Sequence, residues 1–228
     1  MRRACLGSVV VISASIALGG AAHAGTLIGK LELPPPPERP APATRGFLER
    51  AENPLATVRP YNPTTQLVIV VEGDEKPVSP PQVNWELVGE SFSRPIVAAP
   101  AGAEVVIKNV SRTARTLVAL EDPKLLVGVI NPTGPKSFRV TEAGKVFTIT
   151  DRDAPHLKGK VVVVNTQYIA YPDEAGKFEI TDIPPGNYKL RIWYRDNWLE
   201  RADDAVDVAT KGRSDFNPKI PAGYPVKK

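Results

Sequence analysis

A histidine in a short polar segment is the first residue of this 228-residue chain that could do chemistry. The segment "TDRDAPHLKG", residues 150–159, places His156 close to Asp151 and Asp153. An imidazole with carboxylates can bind a metal ion, and an imidazole alone can titrate near neutral pH. The two aspartates lack the further oxygen ligands and the glycine of a calcium loop, so carboxylates that cap backbone amides are favoured. The segment therefore raises two hypotheses, a metal site and a solvent-exposed loop.

The first 24 residues predict a secretory signal peptide. Arg2 and Arg3 precede an apolar run at residues 6–20, and residues 22–24 form a small-x-small cleavage site. The apolar run is short for a membrane anchor. We therefore expect cleavage before Gly25, a periplasmic or secreted location, and no membrane span in the mature chain.

Cleavage would leave few of the side chains that catalysis requires. The whole chain has one Cys, one Met and two His, and Met1, Cys5 and His23 all precede the cleavage site. Only His156 then remains, so disulfides, cysteine nucleophiles and zinc hydrolase sites are excluded. No serine has a recognisable nucleophile setting, and no spacing places two carboxylates in one pocket. We expect a protein that is not an enzyme and has no cofactor.

The charge of the mature chain excludes nucleic acid as a partner. Loss of Arg2 and Arg3 leaves 27 Lys and Arg against 25 Asp and Glu, a net charge of +2. Nucleic-acid-binding domains carry a much larger basic excess. The balanced charge is typical of a mixed, solvated surface.

Proline and alternating apolar residues predict an all-β protein. The 24 prolines interrupt every stretch that could form a long helix. Residues 25–66 would hold a first strand and a stiff, proline-rich connection at 34–44. Short apolar runs separated by turn residues fill 67–167, where the continuous run "LVIVVEG" (67–73) predicts a strand buried on both faces.

Two further blocks follow this dense β region. Alternation in residues 168–200 predicts two strands that face one core, with Pro184, Pro185 and Gly186 forming the turn before the second. A last strand is expected at 205–210, within a final block, 201–228, that is otherwise expected to be an irregular, partly ordered tail. Whether the β blocks make one domain or two is left open.

Two stretches resemble known families. "EAGKFEITDIPPGNYKLRIWY" (174–194) resembles carboxypeptidase regulatory-like, or transthyretin-like, β modules. The wider layout, "LVIVVEG", "VAAPAGAEVVIKN", a short turn and "KGKVVVV", resembles secreted bacterial cupredoxin-like proteins of the methylamine-utilisation or plastocyanin-like type. The resemblance implies a cupredoxin-like Greek-key β-sandwich at 67–167, combined with a transthyretin-like β module at 168–200.

The same resemblance implies where copper ligands would stand. A blue-copper centre uses a thiolate, two imidazoles and a weak axial thioether. In this alignment the cysteine position falls on Asp151, the second histidine on Ala154, the methionine on Leu157, and the upstream histidine near Arg115. Pro155 and Gly159 of the family's loop are kept. We therefore expect no metal site, with degenerate ligand positions at Asp151, Ala154 and Leu157.

Function is therefore expected on the protein surface. Trp198, Asn197 and His156 are the candidate contact residues, because an exposed aromatic ring beside polar groups can stack on a sugar or anchor a protein. The sequence favours a binding or scaffolding component of the cell envelope, whose partner is an envelope protein or polysaccharide. The alternatives are a carbohydrate-binding module and, disfavoured because its ligands are absent, a copper-binding electron-transfer protein.

Overall fold

The regular secondary structure of the described residues is almost entirely β-strand. The computed structural model describes residues 24–33, 63–74, 79–126, 128–200, 204–209 and 212–220. The predicted all-β fold is confirmed. No helix in these ranges is long and apolar enough to cross a membrane. The expected proline-rich connection at 34–44 and nearly all of the expected signal peptide lie outside the described residues.

The described ranges contain sixteen strands and one 3-10 turn, at Pro63–Gln66. The strands are β1 (Gly25–Lys30), β2 (Leu67–Glu72), β3 (Val83–Val88), β4 (Ser91–Phe92), β5 (Ile96–Pro100), β6 (Glu104–Asn109), β7 (Leu117–Ala119), β8 (Pro135–Arg139), β9 (Val146–Asp151), β10 (Lys158–Val164), β11 (Ile169–Ala170), β12 (Lys177–Ile183), β13 (Gly186–Tyr194), β14 (Asn197–Trp198), β15 (Ala205–Val208) and β16 (Arg213–Asp215). They form four sheets.

Strands β3 to β10 form a sandwich of two four-stranded sheets, which we call the first sandwich. Its sheets have the strand orders β4-β3-β6-β8 and β5-β10-β9-β7. Alternate side chains of each strand point into the core between the sheets, among them Trp85, Leu87, Ile107 and Val161. Trp85 stacks on Phe92 with 3.9 Å between ring centroids. The prediction of a β-sandwich in this part of the chain is confirmed.

The remaining strands form a second sandwich. One sheet has the order β12-β1-β16, and the other has the order β11-β2-β13-β14, with β15 also paired to β13. The alternation predicted for β12 and β13 places Phe178, Ile180, Leu190 and Ile192 in the core between these sheets. The two strands do face one core, as the sequence predicts.

Strands β1 and β2 pair with strands outside the blocks, 25–66 and 67–167, in which the sequence analysis places them. Strand β2 pairs antiparallel with β13, with Leu67 opposite Tyr194 and Glu72 opposite Lys189, and β1 pairs with β12 and β16. Both strands therefore belong to the second sandwich, and the first sandwich is inserted between β2 and β11. Periodicity shows that a strand is buried on both faces but does not identify its hydrogen-bonding neighbours.

The segment predicted as an irregular tail is partly ordered. Strand β15 is present, but β16 follows it and pairs parallel with β1. Beyond β16, the Phe216 N–H donates to the carbonyl of Ile28, and Ile220 is buried in the second core. A three-residue strand of polar sequence has no periodicity to detect, because its order comes from backbone bonds to β1.

A third apolar core joins the two sandwiches. It lies where the outer face of the β11-β2-β13-β14 sheet meets the outer face of the β5-β10-β9-β7 sheet. Its buried side chains are Val68, Val70, Ile96, Ala98, Val162, Val164 and Trp193. We call these seven residues the junction core. Strands β2, β5 and β10 are therefore buried on both faces, which explains their continuous apolar sequences. The described chain is a stack of four sheets with three apolar layers between them.

Tyr171 links the two sandwiches at the edge of the junction core. Its hydroxyl accepts a hydrogen bond from the Ala98 N–H at 3.0 Å, and the Arg94 guanidinium lies 4.5 Å from its ring centroid. Burial raises the pKa of Tyr171, and the Ala98 hydrogen bond and the Arg94 charge oppose that rise. The phenol therefore stays protonated at neutral pH and links the chain after β11 to strand β5.

Candidate functional site

The positions that the resemblance aligned with the upstream histidine and the cysteine are in direct contact. Arg115 Nη1 donates to Asp151 Oδ2 at 3.3 Å. Asp151 ends β9 and is 1% exposed, and its other carboxylate oxygen accepts the Asp153 N–H at 3.0 Å. The carboxylate is therefore paired and hydrogen-bonded, which a buried charge requires.

The other two aligned positions face the core of the first sandwich. Leu157 is buried in that core, and Ala154 packs against it from a partly buried position. The Leu157 N–H donates to the Ala154 carbonyl at 2.9 Å, and the Asp151 N–H donates to the Leu157 carbonyl at 3.3 Å. These bonds close the turn between β9 and β10 over apolar side chains.

The solvent side of Arg115 meets the turn between β3 and β4. Arg115 Nη2 donates to the Gly89 carbonyl at 3.3 Å and lies 4.0 Å from a carboxylate oxygen of Glu90. His156 Nε2 lies 3.7 Å from the same carboxylate, and the two side chains are 65% and 74% exposed. His156 is therefore a solvent-exposed loop residue, as one of the two initial hypotheses states, and such an exposed pair contributes little to stability.

Asn109 is a buried polar residue that sequence reasoning did not single out. Its amide nitrogen donates to the carbonyls of Thr113 and Ile130, and its amide oxygen accepts from the backbone and hydroxyl of Ser111. The backbone of Arg115 then pairs in both directions with Ile130. Asn109 thus fixes the loop that carries Arg115. The only sequence signal was its place at the polar end of the apolar run "AEVVI".

This group of residues does not fit a type 1 copper ion. A guanidinium, a carboxylate already held by that guanidinium, a methyl group and an isobutyl group stand at the four aligned positions. None of them is the thiolate, imidazole or thioether that such a centre uses. Across the described residues, no three His, Cys, Asp or Glu side chains are grouped to hold a metal ion.

The structure places two of the candidate contact residues, Asn197 and Trp198, in one hairpin that does not include His156. Asn197 is exposed at the start of β14, whereas Trp198 is half-buried against the junction core. The Trp198 ring meets Trp193 edge-on at 5.1 Å, and the Arg191 guanidinium covers it at 4.1 Å. Trp198 is therefore less open to a ligand than its position after a strand predicts, because the second sandwich packs on the first at this point.

Gly159, which the resemblance treats as part of the loop frame, allows a close approach of two aromatic rings. A Cβ at this position would lie 2.3 Å from Trp85 Cζ2 and 2.7 Å from Phe92 Cδ2. We expect Gly159→Ala to lower the free energy of unfolding by about 3 kcal/mol, because the stacked pair cannot yield without moving the core. Chemical denaturation of both proteins measures the difference.

Gly144→Ala is the matched control for this substitution. Gly144 has a φ of +86°, and no described atom beyond its chain neighbours lies within 4 Å of where a Cβ would stand, so the added methyl group meets only backbone strain. That strain costs about 1 kcal/mol. A Gly159→Ala protein no less stable than Gly144→Ala would show that the Trp85 and Phe92 rings can move to accommodate the added methyl group.

Comparison with known proteins gives one family match and several structural neighbours. Residues 141–215 match the fn3-like domain II of polysaccharide lyase family 4. This range runs from β9 to β16 and so spans parts of both sandwiches. No curated protein matches the chain.

The structural neighbours include cupredoxins at low identity. Amicyanin from Paracoccus versutus is 17% identical, with a TM-score of 0.32 over 42% of this chain and 96% of that protein. A purple cupredoxin from Nitrosopumilus maritimus is 15% identical, with a TM-score of 0.31 over 36% of this chain and 98% of that protein. An oxidised amicyanin with a single methionine substituted is 17% identical, with a TM-score of 0.33 over 42% of this chain and 97% of that protein.

Proposed function

We propose that this protein is a secreted or periplasmic, non-catalytic β-sandwich protein that acts as a binding or scaffolding component of the cell envelope and has no type 1 copper site. The observation that carries the last part of the proposal, the absence of a type 1 copper site, is the Arg115–Asp151 ion pair at two of the aligned ligand positions. A guanidinium there repels a cation and occupies the carboxylate that could attract one. Electron transfer through copper is the disfavoured alternative for the same reason.

The proposal predicts a negative result for copper. After titration with Cu²⁺ and removal of free metal, we expect far less than one copper per chain and no blue absorption band. Weak binding through the exposed His156 would disappear in His156→Ala, which serves as the control. One tightly held, blue-absorbing copper per chain would overturn the proposal that the copper site has been lost.

The junction core supports a scaffolding role in physical terms. Side chains from both sandwiches are buried together there, so a partner bound to one sandwich would be held in a fixed orientation to the other. The second candidate function, a carbohydrate-binding module, is favoured by the match to a domain of a polysaccharide lyase family. Asn197 and the half-buried Trp198 are its candidate contacts.

Two binding assays separate these functions. The mature protein serves as bait for affinity capture from the native envelope, and as the soluble phase in pull-down with purified cell-wall polysaccharide. A stoichiometric protein partner supports the scaffold, and retention by polysaccharide supports the carbohydrate module. Asn197→Ala is compared with Asn187→Ala, an exposed asparagine on β13. If neither assay retains the protein, both functions fail.

A further inference from the structure

A cleft opens where the junction core ends, at the surface between the two sandwiches. Its volume is about 340 Å³, and its walls include Lys158 and Lys160 of β10, Arg195 and Asp196 of the β13–β14 turn, and Gln66. Lys158, Lys160 and Val162 lie on the same face of β10, because successive side chains of a strand alternate. The apolar face of β10 that forms the junction core therefore continues outward as a basic face. We call this cavity the junction cleft.

The junction cleft has an uncompensated positive charge. Lys160 Nζ forms an ion pair with Asp196 Oδ1, which neutralises one of the three cations. Lys158 Nζ and the two terminal nitrogens of Arg195 have no ion-pair or hydrogen-bond partner among the described residues. The walls therefore have a net charge of +2, since three cations face one carboxylate. A concave site with one excess sign of charge concentrates ligands of the opposite sign.

Arg195 is held in place before any ligand binds. Its Nε donates to Gln66 Oε1 at 2.9 Å, its backbone N–H donates to the Gln66 carbonyl at 3.2 Å, and its guanidinium lies 5.2 Å from the Tyr194 ring centroid. The hydrogen bond from Nε leaves the two terminal nitrogens of the guanidinium available to a ligand. A fixed guanidinium loses less conformational entropy when it binds an anion.

The backbone of Arg195 is strained. Tyr194 pairs with Asn197, so Arg195 and Asp196 form a two-residue hairpin turn, and Arg195 has a φ of 55°. Glycine, asparagine or aspartate is the usual residue at a positive φ in such a turn. A long side chain in this conformation costs stability, and such strain is found at ligand-binding positions. Thr133 and Asp182 also have a positive φ, so the strain accompanies the charge of the cleft and does not by itself identify a ligand site.

We propose that the junction cleft binds a phosphate group, either inorganic phosphate or a phosphate monoester, whether the monoester is a free small molecule or a lipid headgroup. A monoester phosphate carries close to two negative charges near neutral pH, which matches the net charge of the walls. The paired terminal nitrogens of Arg195 suit two phosphate oxygens, and Lys158 supplies a point charge to the third. The volume suits a ligand of about the size of one sugar, at the small end of known sites.

This site goes beyond the proposed scaffolding role. An envelope partner can be captured when phosphate does not bind, and phosphate can bind when no partner is captured. The failure of one proposal is therefore distinguishable from the failure of the other. Neither Arg195 nor Lys158 belongs to the Arg115–Asp151 pair, and the copper titration does not bear on the cleft.

Isothermal titration calorimetry of the mature protein tests the proposal. The titrants are inorganic phosphate, glucose 1-phosphate and glucose, at about pH 8 and low salt, where the phosphate is doubly charged and weakly screened. A flotation assay with phosphatidic acid vesicles tests whether the phosphate belongs to a lipid. We expect both phosphate compounds to bind and glucose not to bind. Galacturonate, a carboxylate of similar size, should bind at least tenfold more weakly than glucose 1-phosphate, on the order of one lost charge-assisted bond.

Arg195→Gly is the most informative variant. It removes the guanidinium but places glycine where φ is positive, so the turn keeps its geometry. We expect it to weaken phosphate binding by about tenfold or more. Lys158→Gln, at an exposed position, should weaken binding by a similar factor and covers the case in which Arg195→Gly fails to fold.

Lys177→Gln is the matched control. It removes one positive charge from a different cavity, of about 520 Å³, on the outer face of the β12-β1-β16 sheet. Its phosphate affinity should stay within about twofold of the unmodified protein, since distant charges are screened. The proposal is overturned if no phosphate compound binds, if glucose or galacturonate binds as tightly as glucose 1-phosphate, or if Lys177→Gln weakens binding as much as Arg195→Gly. Vesicle flotation that depends on Arg195 assigns the phosphate to a lipid headgroup and supports the proposal.

Discussion

Val162→Asp should separate the two sandwiches. Val162 is 1% exposed in the junction core, on the central strand β10. An aspartate there would place an unpaired carboxylate between two apolar sheets, in a layer that also contains Val68, Val70 and Trp193. We expect a loss of about 4 kcal/mol or more in the free energy of unfolding. It should be the most destabilising of the single substitutions considered for this protein.

The number of unfolding transitions tests the contact between the two sandwiches more directly than the size of the loss in unfolding free energy does. In the unmodified chain the junction core couples the sandwiches, and we expect one transition by calorimetry and by far-UV circular dichroism. In Val162→Asp each sandwich keeps its own core, so two separated transitions are expected. Trp193 lies in the junction core, so the tryptophan emission of folded Val162→Asp should already be shifted to the red of the emission of the unmodified protein.

Two further substitutions separate the effect of the added charge on stability from the effect of the buried position. Val88→Asp makes the same change at a side chain that is 50% exposed on β3, and it should alter stability by less than about 0.5 kcal/mol. Val162→Thr keeps the shape and adds one buried hydroxyl, which should cost about 2 kcal/mol. If Val162→Asp unfolds in one transition with the stability of Val88→Asp, the sandwiches are not joined through this layer.

The junction core also shows how far sequence patterns predict this fold. The run "LVIVV" in β2 indicates burial on both faces, and the structure shows Ile69 facing the second core while Val70 faces the junction core. What the run cannot indicate is its partner, because β13, which pairs with β2 over six residues, is more than a hundred residues away. Strand type is a local property, whereas strand pairing depends on the whole chain.

The two candidate sites also differ in how far local sequence patterns predict them. The resemblance pointed to Asp151, Ala154 and Leu157 because they lie in one short loop, and Arg115 followed from the layout of the family. The ion pair between Arg115 and Asp151 joins residues 36 positions apart in the sequence, and no local pattern predicts it. The junction cleft left no local signal, because Lys158 and Arg195 lie on different sandwiches and each resembles an ordinary surface cation in the sequence.

Asp151→Ala should be the most destabilising substitution in the first sandwich outside the junction core. It removes a carboxylate that is 1% exposed and leaves the Arg115 guanidinium, 14% exposed, without its buried partner. Breaking one side of a buried ion pair costs about 3–5 kcal/mol, because the remaining charge is desolvated and unpaired. The Asp153 N–H would also lose its acceptor. Urea denaturation gives the size of the effect, and Asp153→Ala, at a position that is 75% exposed, is the control.

The double substitution Arg115→Met with Asp151→Leu decides what the ion pair contributes. If the pair only fills space that apolar side chains could fill, the double variant should recover to within about 1 kcal/mol of the unmodified protein, although each single change is costly. The Arg115 Nε has no hydrogen-bond partner among the described residues, so the pair is incompletely satisfied and its replacement by apolar groups is expected to succeed. A double variant as unstable as Asp151→Ala would contradict this and would show that the bonds from Arg115 to Gly89 and from Asp153 to Asp151 fix the loops at this end of the sandwich.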